Sequence, residues 1–433
     1  MIRKEKAMIK IIDYKDLDRK NLFMRKEDEL NITDVVKDII YSVKMGGDKT
    51  LKKYCELFDG KAPENLEVTA AEMEAAYDKV DSSLIKTMEK AAANIREFHS
   101  KQLREGFKIE KAGGVVMGQK VTPIEKVGIY IPGGTASYPS TVLMNCIPAK
   151  IAGCREIVMV SPPTCNGDIS PVILAAAKIA GVDRVFRAGG AQGIAALAYG
   201  TETIPKVYKI TGPGNAYVAE AKRQVFGIVD IDTIAGPSEV LVIADKDTDP
   251  VYAAADMLSQ AEHDRLASAV MITDSRELAE KVAGEIEKQL ESLPRKEIAE
   301  ASIRNNGRII IAENLDMAVE LANELAPEHL EIDVDNPFDY LDRIENAGSV
   351  FLGRNCPEAL GDYVAGPNHT LPTGGRAKFS SPLSVDDFIK KIQFSYFEKS
   401  ALEELKDDIC TFAQAEGLEG HGRSIKVRFE QTK

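Results

Sequence analysis

Apolar residues along the chain recur at two spacings, and their alternation predicts the fold. Five short apolar runs between residues 127 and 243 are typical of buried strands: VGIYI, EIVMV, VDRVFRA, KVYKI and EVLVIA. Helical patterns separate them, and a second series follows with ASAVMITD, GRIIIAE and GSVFLG as its strands. Strands that alternate with helices form parallel sheets. We therefore predict an α/β fold with two Rossmann-like doubly wound domains.

The two ends of the chain have a different pattern. After residue 31 apolar residues recur at helical spacing behind a cap at Thr33 or Asp34, Gly46 and Gly47 end this first helix, and helical character continues to about residue 104. Beyond about residue 380 the pattern predicts a charged, mainly helical tail that ends in a short strand, SIKVRFE. The predicted parts are an N-terminal segment (1–25), a first α/β domain (26–129 and 239–380), a second (130–238) and the tail (381–433).

Composition narrows the class of partner and the compartment. The 433 residues include 55 Lys and Arg against 68 Asp and Glu, and this net charge of −13 disfavours a nucleic acid or an anionic membrane as partner. No apolar run is long enough for a signal peptide or a membrane span, so we expect a cytoplasmic protein. The six cysteines contain no CxxC pair, and we expect reduced thiols.

Three predicted strands run directly into glycine-rich turns: VGIYIPGGTASYPS, VFRAGGAQGIAALA and YKITGPGNAYVAEAKR. Glycine lets a ligand approach the main chain, and the helix that follows presents free N–H groups to anions. Tyr130, Gln192 and Asn215 are the polar side chains in these turns that could contact a nucleotide. None of the turns is a GxGxxG, however, and ordinary βα connections whose polar residues cap helices explain them equally well.

Four of the five histidines lie in polar clusters: His263 in SQAEHD, His329 in APEHLEI, His369 in GPNHTLP and His421 in EGLEGHGRS. We interpret the fifth, His99, as structural. Gln260 and His263 are three residues apart and would share one helix face, with Asp362, in a loop after GSVFLG, and His421 as further ligands. Such a nitrogen and oxygen set suits zinc without excluding manganese or cobalt. The alternative is a capping acid and a surface histidine.

Two other groups of side chains could carry chemistry. Glu328 and His329 are adjacent, and an acid beside an imidazole suits two separate proton transfers, although a solvated loop pair would look the same. Ser238 could bond a ligand or cap a turn. Cys146 and Cys154 lie in apolar helical context without a nearby histidine, so we interpret them as packing residues rather than nucleophiles.

Eight segments in order resemble the histidinol dehydrogenase family: GIYIPGGTASYPS, GGAQGIAALAYGT, KITGPGNAYVAEAKR, DTIAGPSEVLVIAD, DMLSQAEHD, ELAPEHLEI, GDYVAGPNHTLPT and EGLEGHGRS. They span residues 128 to 423. The resemblance implies a zinc-dependent homodimer that oxidises L-histidinol to L-histidine through L-histidinal, with two NAD reduced, in histidine biosynthesis. It also explains the missing GxGxxG, because this family resembles Rossmann folds without that motif.

The resemblance further implies a role for individual residues. Gln260, His263, Asp362 and His421 would bind zinc, with His421 supplied by the swapped tail of the other subunit. Glu328 and His329 would transfer protons. Ser238 and Glu416 would bind substrate together with the zinc ligands and His329, and Tyr130, Gln192 and Asn215 would contact NAD. The rival interpretations are a relative acting on another polar alcohol, a zinc hydrolase in which Glu328 activates water, and, last, a structural or binding protein.

Overall fold

The computed structural model describes residues 8–18, 32–133, 137–234 and 236–430. Its strands are β1 Lys10–Asp13, β2 Glu67–Val68, β3 Phe107–Lys111, β4 Val115–Pro123, β5 Lys126–Tyr130, β6 Glu156–Ser161, β7 Arg184–Arg187, β8 Lys209–Thr211, β9 Asp230–Ile231, β10 Glu239–Ala244, β11 Ser268–Thr273, β12 Arg308–Ile311, β13 His329–Asp333, β14 Ser349–Leu352 and β15 Ile389–Phe397. Its helices are α1 Thr33–Asp59, α2 Ala70–Lys79, α3 Ser82–Ser100, α4 Pro139–Ala152, α5 Pro171–Ala180, α6 Gly190–Tyr199, α7 Ala216–Val225, α8 Pro250–Ala261, α9 Arg276–Leu290, α10 Lys296–Asn306, α11 Leu315–Leu325, α12 Phe338–Leu341, α13 Glu358–Tyr363, α14 Lys399–Ala415 and α15 Glu419–Lys426.

Two six-stranded sheets have the same order of strands. One, the β5 sheet, runs β2-β7-β6-β5-β8-β9, and the other, the β10 sheet, runs β1-β12-β11-β10-β13-β14. In the β5 sheet, β6 and then β7 lie on one side of β5, and β8 and then β9 lie on the other side. In the β10 sheet, β11 and β12 lie on one side of β10, and β13 and β14 lie on the other. All pairs are parallel except β2 with β7. The predicted pair of doubly wound α/β sheets is confirmed.

The central strands are apolar on both faces because helices cover both faces. In β6, Ile157 and Met159 pack into one core, and the alternate residues Val158 and Val160 pack into another on the opposite face. The β10 sheet is covered by two cores in the same way. Each fully buried aliphatic side chain contributes about 1.5–3 kcal/mol, so these strands are held mainly by burial.

The N-terminal helices belong to the β5 sheet, which differs from the predicted domain division. Val36 of α1 packs in one core with Val160, and Ile95 of α3 packs in the other with Ile129. The predicted division placed residues 26–129 with 239–380 instead and cut β5 at its last residue. An amphipathic helix shows which of its faces is buried, but not which sheet it covers.

The predicted N-terminal segment contributes an edge strand. Within residues 8–18, β1 pairs in parallel with β12, with Lys10 opposite Arg308. The rest of that segment, residues 1–7 and 19–25, lies outside the described residues.

A second compact unit contains Leu103–Pro123 and Ile389–Lys433, and the remaining residues form the first. Within the second unit, β15, β4 and β3 form an antiparallel sheet, and β15 pairs along all of β4, from Ile389 with Pro123 to Phe397 with Val115. The tail therefore begins with a long strand that the mainly helical prediction missed. The predicted strand SIKVRFE is wrong, because α15 and a turn occupy this segment.

The first helix also differs from its prediction. Helix α1 continues past Gly47, which adopts φ 53° and ψ −142° and kinks the helix instead of ending it. Its N-cap is Ile32 and no side chain caps it, so neither Thr33 nor Asp34 has the predicted role. All six cysteines are free thiols, as predicted. Among the described residues no helix combines the length and the apolar character needed to cross a bilayer.

Candidate active site

His329 and Glu239 lie side by side at the amino ends of two neighbouring strands. His329 is the first residue of β13, Glu239 is the first residue of β10, and the strands pair with Val240 opposite His329. The Nδ1 atom of His329 lies 3.0 Å from the carbonyl oxygen of Glu239. A carbonyl oxygen only accepts, so Nδ1 carries a proton. Nε2 is buried and has no hydrogen-bond partner among the described residues.

Three acids surround the imidazole of His329. Oxygens of Glu328 and Glu358 each lie 3.8 Å from Nδ1, and Asp362 Oδ1 lies 3.6 Å from Nε2. Burial disfavours the charged imidazole, but Glu328, Asp362 and Glu358 outweigh this effect and raise the pKa of His329 to about 10. Burial also raises the pKa of Glu328 to about 8. A cation beside Asp362 would weaken this excess of negative charge and bring His329 back towards its ordinary pKa.

Glu328 is held by the backbone of the adjacent strand. Its Oε2 accepts a hydrogen bond of 2.9 Å from the Glu239 N–H. Glu328 and His329 are both buried, with 7% and 4% of their surface exposed. The alternative of a solvated loop pair therefore does not describe these two residues.

Gln260 and His263 lie at the end of α8, although not both on the helix. The helix ends at Ala261, so Gln260 occupies its last turn and His263 follows the C-cap. With its amide oriented to satisfy its neighbours, Gln260 donates to Glu358 Oε1 over 2.9 Å and accepts from Glu239 N over 3.2 Å. His263 is exposed at the surface, but protein atoms around its ring remove water from it and lower its pKa. Asp362 opposes this effect, and His329 adds to it.

Asp362 lies on a short helix, α13, and not in the loop that its glycines predicted. Glu358 is four residues earlier on this helix, so both side chains lie on the face turned to His329. Burial opposes ionisation of Asp362, but His329, His369 and His263 outweigh it and lower its pKa. The ring of His369 bridges the Asp362 carbonyl, at 2.9 Å, and Thr141 Oγ1, at 3.3 Å.

The donor set fits zinc. An imidazole with a lowered pKa, an ionised carboxylate and an amide oxygen are nitrogen and oxygen donors of the kind zinc binds. Gln260 would have to exchange its bond from Glu239 N for the metal. The described residues contain no group of three or more His, Cys, Asp and Glu with metal-binding geometry.

The three residues predicted to contact a nucleotide lie at the opposite, carboxyl edge of the β5 sheet. Tyr130 ends β5, Gln192 lies in the first turn of α6, and Asn215 is the N-cap of α7. The Gly190 N–H donates to the Tyr130 hydroxyl over 3.1 Å, and Asn215 Oδ1 accepts from the Val218 N–H over 3.1 Å. The order of strands reverses between β5 and β8, where doubly wound sheets bind ligands.

The corresponding position in the β10 sheet contains an ion-pair network. Its strand order reverses between β10 and β13. There Arg354 donates to Asp245 over 2.6 Å, lies 3.6 Å from Asp333 and also contacts Asp335. Thr248 Oγ1 donates to the Asp333 carbonyl over 2.7 Å. The two sheets therefore place their candidate site residues at opposite edges.

The comparisons with known proteins identify the family. The family model described as histidinol dehydrogenase matches residues 23–429. The chain belongs to the histidinol dehydrogenase family. The histidinol dehydrogenase of Clostridium acetobutylicum is 52% identical over 98% of this chain and 99% of that relative, and the one of Listeria monocytogenes is 54% identical over 93% and 94%. A crystal structure of histidinol dehydrogenase from Elizabethkingia anophelis has a TM-score of 0.93, 39% identity and coverage of 98% and 99%. The predicted resemblance and its fold are confirmed.

The sequence analysis missed three buried acids near His329, namely Glu239, Glu331 and Glu358. Glu358 accepts from Ser259 Oγ over 2.6 Å, and its backbone N–H donates to Glu331 Oε1 over 2.7 Å. Glu239 supplies the carbonyl that orients His329. One signal was available, since an acid within a strand that is apolar on both sides, as Glu331 is in HLEIDV, has to be buried.

The remaining residues that the histidinol dehydrogenase resemblance singled out lie in two places. Ser238 directly precedes β10, and its carbonyl accepts from the Ser268 N–H over 2.9 Å. Glu416 is the C-cap of α14 and His421 lies on α15, both in the second unit and both exposed.

Proposed function

We propose that this chain oxidises L-histidinol to L-histidine through L-histidinal, with two NAD reduced per substrate, as the last steps of histidine biosynthesis in the cytoplasm. The observation that carries the proposal is the arrangement of His329. Its Nδ1 is held by the Glu239 carbonyl, its Nε2 is buried without a partner among the described residues, and Glu328 lies beside it. This arrangement suits two successive proton transfers at one carbon atom.

The proposed cofactor site uses the donors that surround His329. Gln260, His263 and Asp362 would hold zinc together with His421 of the partner subunit. The metal would act as a Lewis acid and as a template that fixes the amine and imidazole of the substrate. Ser238 and Glu416 would add hydrogen bonds to the substrate, and Glu416 would offset its positive charge.

In the first oxidation, His329 accepts the proton of the substrate hydroxyl as the carbinol carbon transfers hydride to NAD. In the second, Glu328 takes a proton from water, and the water oxygen adds to the aldehyde carbon. The resulting hydrate transfers hydride to the second NAD and its hydroxyl proton to His329. The first oxidation therefore releases one hydride and one proton, and His329 passes this proton to solvent before the second oxidation. The second oxidation releases one hydride and two protons, one to Glu328 and one to His329, and the added water supplies the second carboxylate oxygen.

The proposed NAD site is the carboxyl edge of the β5 sheet. Tyr130 ends β5 there, Gln192 follows β7 and Asn215 follows β8, and α7 directs its N-terminal N–H groups towards the same edge. Phosphates are stabilised by such a helix end. The buried Tyr130 hydroxyl is held by the Gly190 N–H and so has a defined position.

The proposed assembly is a homodimer whose swapped tails complete the partner's active site. Exposed aromatic and aliphatic side chains of the second unit support this arrangement: Phe107, Ile109, Ile392, Phe394 and Tyr396. Apolar patches of this kind mark contact surfaces between proteins.

The decisive experiment measures NADH formed per L-histidinol consumed, with zinc and again after chelation. We expect two NADH per substrate, loss of activity on chelation and recovery with zinc. One NADH, or none, would contradict the proposal. One would indicate another polar alcohol as the true substrate, and none, with ester or amide cleavage, would indicate a hydrolase.

A further inference from the structure

Lys222 and Asp232 form an ion pair inside the β5 sheet domain. Lys222 lies in the last turn of α7, and Asp232 follows β9. Only 2% and 4% of their side-chain surfaces are exposed, and the ammonium contacts the carboxylate directly. Neither residue has a role in the proposed chemistry.

Both charged groups also bind the same residue of the backbone. Lys222 Nζ donates to the Gly212 carbonyl over 3.0 Å, and the Gly212 N–H donates to Asp232 Oδ2 over 2.7 Å. The two polar backbone atoms of one residue are thus each held by an opposite charge. Hydrogen bonds to charged groups are shorter and stronger than those between neutral groups.

The backbone of Gly212 lies close to the end of β5. Its φ is 115°, a conformation that favours glycine, and a Cβ atom there would lie 2.1 Å from the Tyr130 carbonyl oxygen. The backbone at Gly212 therefore packs directly against the last residue of β5. Three residues later, Asn215 begins α7, the helix that carries Lys222. The ion pair consequently fixes the distance between Tyr130 and the start of α7.

Stability alone does not explain these charges. The residues of α7 on either side, Val218 and Val225, belong to an apolar core with Ile210 of β8. A buried ion pair is costly to desolvate, and its replacement by apolar residues of similar volume is often neutral or stabilising. Because both charged groups bind the backbone of Gly212, we infer that the pair serves to hold this turn in place.

We propose that Lys222 and Asp232 are positioning residues, which hold the turn at Gly212 so that Asn215 and the start of α7 accept the dinucleotide. The identity of the ligand rests on the proposed function. The clamping of the turn does not, since it follows from the contacts of Gly212.

The test replaces both charges together, because removal of one would leave the other buried and unpaired. In the double variant Lys222→Met with Asp232→Leu, we expect a folded protein with a lower melting temperature, because the buried N–H and carbonyl of Gly212 lose their partners. We expect it to bind NADH about 10- to 100-fold more weakly than the parent, measured by NADH fluorescence. The KM for NAD should rise, while the KM for L-histidinol and the zinc content stay unchanged. A folded double variant with NADH affinity within about twofold of the parent would overturn the proposal.

A control pair lies on β8 and β9, the strands that precede Gly212 and Asp232. Lys209 is also buried and lies 2.9 Å from Asp230, but at the start of β8, away from the turn. Lys209 Nζ also lies 3.6 Å from Asp387. In the control variant, Lys209→Met with Asp230→Leu, Asp387 loses this contact but keeps its bond from the Ser384 N–H. We expect this control to bind NADH as the parent does. An equal loss of affinity in both double variants would mean a general effect of charge removal and would contradict the proposal.

A conservative variant separates positioning from stability. Lys222→Met with Asp232→Asn keeps an oxygen for the Gly212 N–H and should recover part of the NADH affinity lost with Leu. If neither double variant folds, the pair is required for folding itself and the positioning role is wrong.

Hydrogen–deuterium exchange of the peptide around Gly212 needs no nucleotide. We expect faster exchange there in the Leu variant and parental exchange in the control. If the parent binds no NADH, the proposed function fails, but the exchange result still decides whether the pair holds the turn.

Discussion

The Nε2 atom of His329 lies 3.6 Å from Oδ1 of Asp362, beyond hydrogen-bonding distance, and is buried. The ring cannot turn to shorten this distance without losing the bond between Nδ1 and the Glu239 carbonyl. The site therefore holds a fixed nitrogen and a carboxylate a short distance apart, with neither satisfying the other. If a cation beside Asp362 brings the pKa of His329 back towards its ordinary value, a substrate hydroxyl that contacts Nε2 would find an acceptor for its proton next to a negative charge.

The variant His329→Asn should lose turnover while it keeps its fold. Removal of a positioned proton acceptor lowers kcat by about 10²- to 10⁴-fold. Steady-state NADH formation from L-histidinol measures this loss. His99→Asn is the matched control, because His99 is also a buried histidine, near the end of α3, and its ring bonds only to Gln102 and Asn368 among the described residues. We expect this control to lower the melting temperature rather than kcat. Full turnover in His329→Asn would exclude the proposed role.

The variant Glu328→Gln should separate the two oxidations. The amide still occupies the space beside the Glu239 N–H but cannot take a proton from water. We expect the first NADH to form at a rate near that of the parent, with L-histidinal accumulating and the second NADH formed at least about 10²-fold more slowly. Rapid-quench analysis of the products checks this. Equal slowing of both steps would place Glu328 in the first transfer as well.

The variant Glu358→Gln should weaken zinc binding. Glu358 bonds the Gln260 amide and Ser259 Oγ, so it fixes a proposed ligand without being one. Loss of such an outer partner costs about 10- to 100-fold in metal affinity. Competition with a chromogenic chelator measures the change. Glu345→Gln, at an exposed position, serves as control and should bind zinc as the parent does.

The variant Asp256→Asn should become more stable than the parent as the pH rises. Burial, together with Asp333, raises the pKa of Asp256 to about 6, above its unfolded value of about 3.9. The contribution of this carboxyl to stability is thus fully present below pH ~4 and is lost as the pH rises through ~6. We expect the melting temperatures of variant and parent to be similar at pH ~4 and the variant to melt higher at pH ~7.5. A difference that does not depend on pH would refute this account.

Two inactive subunits should complement each other if the tail completes the partner's site. In a mixture of His421→Ala and His329→Ala subunits, each heterodimer would contain one site with both residues intact. We expect NADH formation to return towards about a quarter of the parent's rate after statistical exchange of subunits, since half the dimers would then have one intact site. Mass spectrometry of intact dimers confirms the exchange. Exchange without activity would place His421 in the site of its own chain.

The strands of both sheets could be predicted because parallel strands covered on both faces appear as unbroken apolar runs. Strand β15 could not, since its partner β4 lies more than 260 residues earlier and its own residues are largely exposed. SIKVRFE alternates like a strand, yet it forms part of α15 and a turn, which shows how little a short alternating pattern decides. Helix α13 was missed because six residues are too few to show a helical period.

Within the site, the sequence indicated Gln260, His263, Asp362 and the pair Glu328 and His329 because amides, imidazoles and acids stood out against apolar surroundings. It did not indicate Glu358 or Glu239. The sequence does not distinguish a buried glutamate from a solvated one, and only the fold shows that these two residues lie against His329. The tautomer of His329 likewise depends on a carbonyl 90 residues away in the chain.

The shared strand order of the two sheets has a consequence for how each half of the chain should tolerate substitution. Five parallel strands follow the same order in both sheets, and only the sixth strand differs in direction, β1 being parallel and β2 antiparallel to its neighbour. Such a repeat is the pattern expected from duplication of one module. The candidate site residues of the two sheets lie at opposite ends of their strands, and Arg354 with its aspartates occupies the position in the β10 sheet that Asn215 borders in the β5 sheet. Tolerance to substitution should therefore be mirrored, with strict requirements at the carboxyl ends of β5 and β8 and at the amino ends of β10 and β13.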